Sequence, residues 1–283
     1  MTSKKLINLF ESGIKANLED SYRRFNLIEL PKEGDVIVAG DIHGHRRNFE
    51  RVLSYADLAN NPKRHLVLQE IIHGGPEDEQ GGCLSFELLF EAVKLKIEFK
   101  DQVHLIMANH DTAFINNSEV MKNGKEMNVS MRKALERKFA DDMDAVESVI
   151  ERFLFSQPLA VKCANRIWFS HSLPADRYLK KFDFTIFNRQ TKISDLVRPN
   201  SVYTLTWGRR QSREALDSIA EKLDVDLFVL GHQVQDSGWM TNGKNLVIID
   251  SQHSQGYLCH IDLTRSYAID GIVESLVKLA QIP

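Results

Sequence analysis

Five short apolar runs in this 283-residue chain end in side chains that can bind metal ions. DVIVAG (35–40) runs into Asp41 and His43, and HLVLQ (65–69) runs into Glu70. VHLIMA (103–108) runs into Asn109 and His110, RIWFS (166–170) into His171, and DLFVLG (226–231) into His232. Taken singly, each is an ordinary capping or turn residue. Five in succession are not ordinary, because open α/β sheets bind ligands beyond the carboxyl ends of their strands. Chain order would bring these groups to one sheet edge. Carboxylate, imidazole and amide oxygen together suit divalent ions such as Mn²⁺, Fe²⁺ or Zn²⁺. One central carboxylate can bridge two ions. Two ions about 3.5–4 Å apart clamp the attacking and leaving oxygens of a phosphoryl transfer.

The elements that must position these groups alternate. The early strands are separated by helical stretches such as FELLFEAVKLKIEF (86–99), and a long helical region is predicted over about 130–155. LAVKC (159–163) and RIWFSH (166–171), split by Ala164–Asn165, predict a hairpin. REALDSIAEKL (213–223) predicts a helix, NLVIIDS and GYLCHIDL predict strands, and IVESLVKLA (272–280) predicts a closing helix. Leu6, Leu9, Phe10, Ile14 and Leu18 recur at helical spacing, so the first thirty residues read as helical. The pattern is an α/β core with mixed sheets and a helical N-terminal extension.

Composition narrows the function. Lys and Arg number 36 against 39 Asp and Glu, a net charge of −3, which favours neither a nucleic-acid nor a membrane-surface partner. Cys83, Cys163 and Cys259 lack zinc-type spacing and read as free thiols in a reducing compartment. Glu11 and Lys15 interrupt what a signal peptide would need as an apolar core, and no apolar run approaches the ~20 residues of a membrane span. The expectation is a cytoplasmic protein with neither nucleic-acid nor membrane partners.

The motifs now resemble a known family, the calcineurin-like metallophosphoesterases, in their phosphoprotein-phosphatase (serine/threonine phosphatase-like) branch. GDIHGH (40–45) resembles the first signature, Gly-Asp-x-His-Gly, and ANHD (108–111) resembles Gly-Asn-His-Glu. FLFSQPLAVKCANRIWFSHSLP (153–174), LTWGRR (205–210), GHQVQDSGW (231–239) and IIDSQHSQGYLCHIDL (248–263) are similar to later segments, in family order. The last of them resembles a closing strand pair. The resemblance implies a four-layer α/β/β/α sandwich over residues 34–283, with residues 1–33 as the helical extension. It implies two divalent ions, Mn²⁺ first and Fe or Zn next, held by Asp41, His43, Glu70, Asn109, His171 and His232. A metal-bridging hydroxide would attack phosphorus directly, with Asp41 and His110 as catalytic residues and His110 as general acid.

Departures from the family mark the second motif, Gly-Asp-x-x-Asp-Arg-Gly, which aligns with QEIIHGG (69–75). Glu70 replaces the bridging Asp, His73 falls where an Asp holds the catalytic His, and Gly74 replaces a phosphate-binding Arg. Arg209, in the Trp-containing loop, is the expected phosphate contact, with Arg46, His73 and His253 as further substrate-binding candidates. The acidic, glycine-containing segment 70–85 reads as a mobile loop whose Glu77, Asp78 and Glu79 face solvent or bind a cationic part of a substrate. The resemblance implies a phosphatase acting on phosphomonoesters, either small molecules or phosphoprotein Ser/Thr. Two alternatives stand beside it. One is a weakened or inactive metal- and phosphate-binding protein on the same fold. The other is a hydrolase resembling the bis(nucleosyl)-tetraphosphatases. The second His of the Gly-His-x-His motif found in the diesterase branches is absent, since Gln233 and Val234 follow His232.

Overall fold

A computed structural model describes residues 1–122 and 124–283. The strands are β1 (Arg23–Arg24), β2 (Leu27–Leu30), β3 (Asp35–Asp41), β4 (Arg64–Gln69), β5 (Val103–Ile106), β6 (Met121–Lys122) and β7 (Lys125–Glu126). Then follow β8 (Ala160–Cys163), β9 (Ile167–Ser170), β10 (Leu227–Leu230), β11 (Trp239–Asn242), β12 (Leu246–Ile249), β13 (Tyr257–Asp262) and β14 (Leu276–Lys278). The helices are α1 (Ser3–Leu18), α2 (Arg46–Ala56), α3 (Ser85–Glu98), α4 (Asn109–Ile115) and α5 (Met127–Phe139). The remainder are α6 (Met143–Ser156), α7 (Asp176–Leu179), α8 (Ser201–Thr206), α9 (Arg213–Leu223) and α10 (Ile269–Glu274).

Two mixed sheets face each other. One has seven strands in the order β1-β2-β8-β9-β10-β12-β11, and the other five, β14-β13-β3-β4-β5. The alternation of strand side chains decides the layers. Val36, Val38, Val67, Phe169, Val229, Val247 and Ile249 point into the interface between the sheets. Ile37, Ala39, Leu66, Leu68 and Leu105 point outward onto α1, α2, α3, α5 and α6. Trp168, Phe228, Leu230, Leu246 and Ile248 point the opposite way onto α8 and α9. The result is the calcineurin-like four-layer α/β/β/α sandwich. The β8–β9 hairpin forms as expected, antiparallel with Val161 opposite Phe169.

Several local expectations are corrected. The N-terminal helix ends at Leu18, and Leu27–Leu30 is a strand pairing in parallel with β8. Leu6 and Phe10 are fully buried in the same cluster as Phe86 and Phe90, so this helix packs into the main core. The helical region near 130–155 breaks into α5 and α6 around Ala140–Asp142. Of the closing segment, Ile272–Glu274 is the end of α10, Leu276–Lys278 pairs with β13, and a 3₁₀ turn over Leu279–Gln281 follows. The apparent closing pair, β12 and β13, is divided between the two sheets. No helix among the described residues is long and apolar enough to cross a membrane.

Candidate metal centre

The strands that end in polar residues are parallel within each sheet. β3, β4 and β5 run together in one sheet, and β9, β10 and β12 in the other. Their carboxyl ends therefore face a common space. Asp41, His43, Glu70, Asn109, His110, His171 and His232 all lie there, each at most 8% exposed.

On one side, His171 Nε2 lies 2.7 Å from Asn109 Oδ1, 3.0 Å from Glu70 Oε2 and 3.1 Å from His232 Nδ1. His232 Nδ1 is 3.0 Å from the same Asn109 oxygen. His171 Nδ1 sits 2.9 Å from Gln69 Oε1, whose own amide donates to the Ala39 carbonyl. Nδ1 must therefore carry the ring proton, which leaves Nε2 with a lone pair. Burial holds His171 down to about 4, so the ring is neutral at physiological pH. A carboxylate, an amide oxygen and the bare Nε2 of His171 thus aim lone pairs at one point, with His232 Nδ1 beside them. Such a donor set fits a cation rather than a hydrogen-bond network.

The other side is built similarly. His43 donates from Nδ1 to the Ile72 carbonyl at 3.1 Å, which turns Nε2 inward, 3.9 Å from Asp41 Oδ2. His43, Glu70 and His110 bring ligand-capable atoms within 4.8 Å of one another, as do Glu70, His171 and His232. Glu70 belongs to both groups, so one carboxylate faces both positions. Asp41 lies between them, 3.7 Å from His171 Nδ1, and accepts the His232 amide at 2.9 Å.

Electrostatics also ask for a cation. Burial pushes Glu70 up to about 8 and Asp41 up to about 6, with Glu70 and Asp250 adding to the rise at Asp41. Burial likewise holds His43, His110 and His232 well below the usual histidine range. Bound divalent ions would reverse this by favouring the carboxylates and the neutral imidazoles together.

Behind the centre, His73 Nδ1 lies 3.0 Å from His110 Nδ1. His73 is fully buried, against Phe114, and burial holds it down to about 3. It therefore positions His110 and does not reach substrate, contrary to the sequence expectation. Its Nε2 is buried without a partner among the described residues. That atom is better left as a lone pair than as an orphan donor. His73 then donates from Nδ1, and His110 carries its proton on Nε2.

Two other substrate-binding candidates have partners within the chain. Arg46 is committed to Glu91 through two bonds of 2.8 Å. His253 spends Nε2 on the Gln235 carbonyl and Nδ1 on the Gln255 amide. Arg209 fares differently. It lines an open cleft of about 430 Å³ with Trp207, Tyr203, Arg177 and Arg210, and its charge bears on Glu70 and His171. The acidic loop is tied down: Asp78 pairs with Arg137 and Glu77 with Lys125, so these carboxylates meet cations of the chain itself. Gln69, which sets the His171 tautomer, and Lys122, whose charge reaches Glu70 and Asp41, went unnoticed in the sequence. Gln69 at the end of an apolar strand was a usable signal. Lys122 offered none.

Known proteins share this fold. The family model for calcineurin-like phosphoesterases matches residues 34–236. A protein serine/threonine phosphatase from Saccharomyces cerevisiae superposes with a TM-score of 0.69 at 15% identity, over 92% of this chain and 83% of that one. A cold-active protein-tyrosine phosphatase from a Shewanella species superposes with a TM-score of 0.61 at 16% identity, over 89% and 82%. With a family model that matches most of its length, on a fold of the same kind, the chain belongs to the calcineurin-like phosphoesterase family.

Proposed function

We propose that this protein is a metal-dependent phosphatase that hydrolyses phosphomonoesters. Asp41, His43, Glu70, Asn109, His171 and His232 would hold two divalent ions, Mn²⁺ first and Fe or Zn next. The single observation that carries this reading is the convergence of Glu70, Asn109 and His171 on one point beside His232, with Glu70 also grouped with His43 on the other side. When bound, the ions supply Lewis acidity and an acidified water. The chain's own residues do the rest. Glu70 and Asp41 keep the two positions close together. Gln69 and the Ile72 carbonyl hold the His171 and His43 rings so that Nε2 faces inward. His110 holds a proton at Nε2, where a leaving oxygen can take it, and His73 keeps it in that tautomer. Arg209 offers a guanidinium to the phosphoryl oxygens.

The nucleotide alternative has one observation in its favour. Tyr203 and Trp207 stack at 5.6 Å and 16° in the cleft beside Arg177, Arg209 and Arg210. An aromatic pair flanked by arginines suits a base carrying several phosphates. The experiment is metal analysis with turnover of a chromogenic phosphomonoester and of diadenosine tetraphosphate, wild type against Glu70→Ala. About two ions per chain and Mn²⁺-dependent turnover that Glu70→Ala abolishes supports the phosphatase. Preference for the dinucleotide supports the alternative. Wild type with no ions and no turnover on either compound sinks both.

A further inference from the structure

Gly74 leaves the second motif without its phosphate-binding arginine, and its backbone explains why. A Cβ at Gly74 would lie 2.4 Å from the His43 carbonyl oxygen. The loop after β4 and the loop after β3 are pressed together, with His43 N donating to the Glu70 carbonyl at 2.7 Å. A side chain cannot start from this position, so any replacement cation must come from elsewhere.

One arrives from a segment without a motif. β6 and β7 form a two-stranded hairpin after α4, with Lys122 opposite Lys125. The Lys122 side chain turns inward and is half-buried. Its Nζ donates to Gln252 Oε1 at 3.0 Å, and Gln252 in turn donates to Asp250 Oδ2 at 3.2 Å. Asp250 forms a parallel bridge with Asp41, so the ammonium hangs over the carboxyl ends of β3 and β12. An ammonium has three donors, and one neutral amide uses a single donor.

We propose that Lys122 is a phosphate-contacting residue that takes the role of the missing arginine, gripping the phosphoryl group from the side opposite Arg209. The proposal rests on the phosphatase reading. Three observations support it. Lys122 bears on His43, His73 and His110, whereas Arg209 bears on His171 and His232, so the two cations bracket the centre. Both act on Glu70, the shared carboxylate. Finally, two divalent ions would outweigh the three carboxylates of Asp41, Glu70 and Asp250. A further ammonium beside them is repelled unless an anion arrives, and a phosphate dianion is such an anion. Lysine binds phosphate as a point charge, which suits delivery on a hairpin rather than the planar fork an arginine would present.

The test uses the full chain loaded with Mn²⁺, calorimetric titration with inorganic phosphate, and kinetics on a chromogenic phosphomonoester. Lys122→Gln should keep its metal content, weaken phosphate binding roughly 10- to 100-fold and raise KM. Lys122→Arg should recover most of both. Unchanged phosphate affinity in Lys122→Gln overturns the assignment, and so does loss of metal in that variant, which would make Lys122 a support of the centre. A readout independent of variant folding is acetylation of Lys122 in the wild type, followed by mass spectrometry. Saturating phosphate must slow it, and unaltered labelling overturns the proposal. Phosphate binding that depends on Lys122 without turnover would refute the phosphatase reading and keep this assignment. Turnover indifferent to Lys122 would do the reverse.

Discussion

Four side chains of the centre sit on left-handed backbone. His43 and Glu70 have φ of 47°, His73 66° and His232 67°. Such conformations cost on the order of 1–3 kcal/mol each for residues other than glycine, and they persist only where the surroundings impose them. Here the sharp turns after β3, β4 and β10 impose them, and they aim the side chains into the gap between the sheets. The same tightness forbids restoring the family arginine. Gly74→Arg should lower both metal content and Mn²⁺-dependent turnover by at least about 10-fold, because its Cβ collides with the His43 carbonyl. Metal analysis of that variant decides the point, and a gain in activity would refute it. The His73–His110 pair gives a second residue-scale prediction. His73→Asp offers His110 a carboxylate, which should raise the pKa of the imidazole by about 1 unit or more. The descending limb of the pH–rate profile should move up accordingly, and an unmoved limb would remove His73 from the control of His110. Metal binding itself should be proton-linked. Glu70 is pushed up to about 8 and Asp41 to about 6 by burial, so both must release protons to take an ion. Apparent metal affinity should rise as pH is raised from about 6 to 8. Calorimetry in buffers of different ionisation enthalpy counts the protons, and none released would contradict these carboxylates as ligands.

The segment after α1 is fastened by a buried polar chain. Asp20 Oδ2 accepts from Lys96 Nζ at 2.6 Å and from His104 Nδ1 at 3.0 Å, and His104 Nε2 lies 3.1 Å from His65 Nδ1. All four side chains are at most 5% exposed. The chain links β4, β5 and α3 to the turn that leads into the seven-stranded sheet. His104 donates from Nδ1 to Asp20 and accepts at Nε2 from His65, so the His104 ring is neutral. Burial lowers His65 to about 4. The folded form therefore refuses a proton that the unfolded chain accepts below about 6.5, the ordinary histidine value. Stability from this group is full above that pH and falls as pH drops toward 4, by about 3 kcal/mol across the window. His65→Gln keeps a donor for His104 and should flatten this part of the stability profile. Urea midpoints at pH 7 and pH 5 measure it, and equal acid sensitivity in wild type and variant would contradict the assignment.

Across the whole molecule, α1 is held by apolar packing. Phe10 is fully buried and meets Phe90 and Phe153 edge-on at 5.7 and 5.4 Å. Phe10→Ala should destabilise the fold by about 3–5 kcal/mol, the range for a buried aromatic. A urea titration showing a loss under about 1 kcal/mol would mean that the helix is peripheral after all. The sequence by itself determined the candidate ligand types and their order, because an apolar run followed by Asp, His, Glu or Asn is a local pattern and parallel strands carry such ends to one edge. What escaped it was non-local. Leu27–Leu30 resembles the end of an amphipathic helix until β8 lies beside it, and Leu276–Lys278 continues a helical pattern until β13 offers it a partner. Arg46 and His253 follow plausible motifs, and only the fold shows that Glu91 and the Gln235 carbonyl already occupy them. Lys122 has no motif at all. Its contact with Gln252 joins side chains 130 positions apart, and such long-range contacts are decided by tertiary packing.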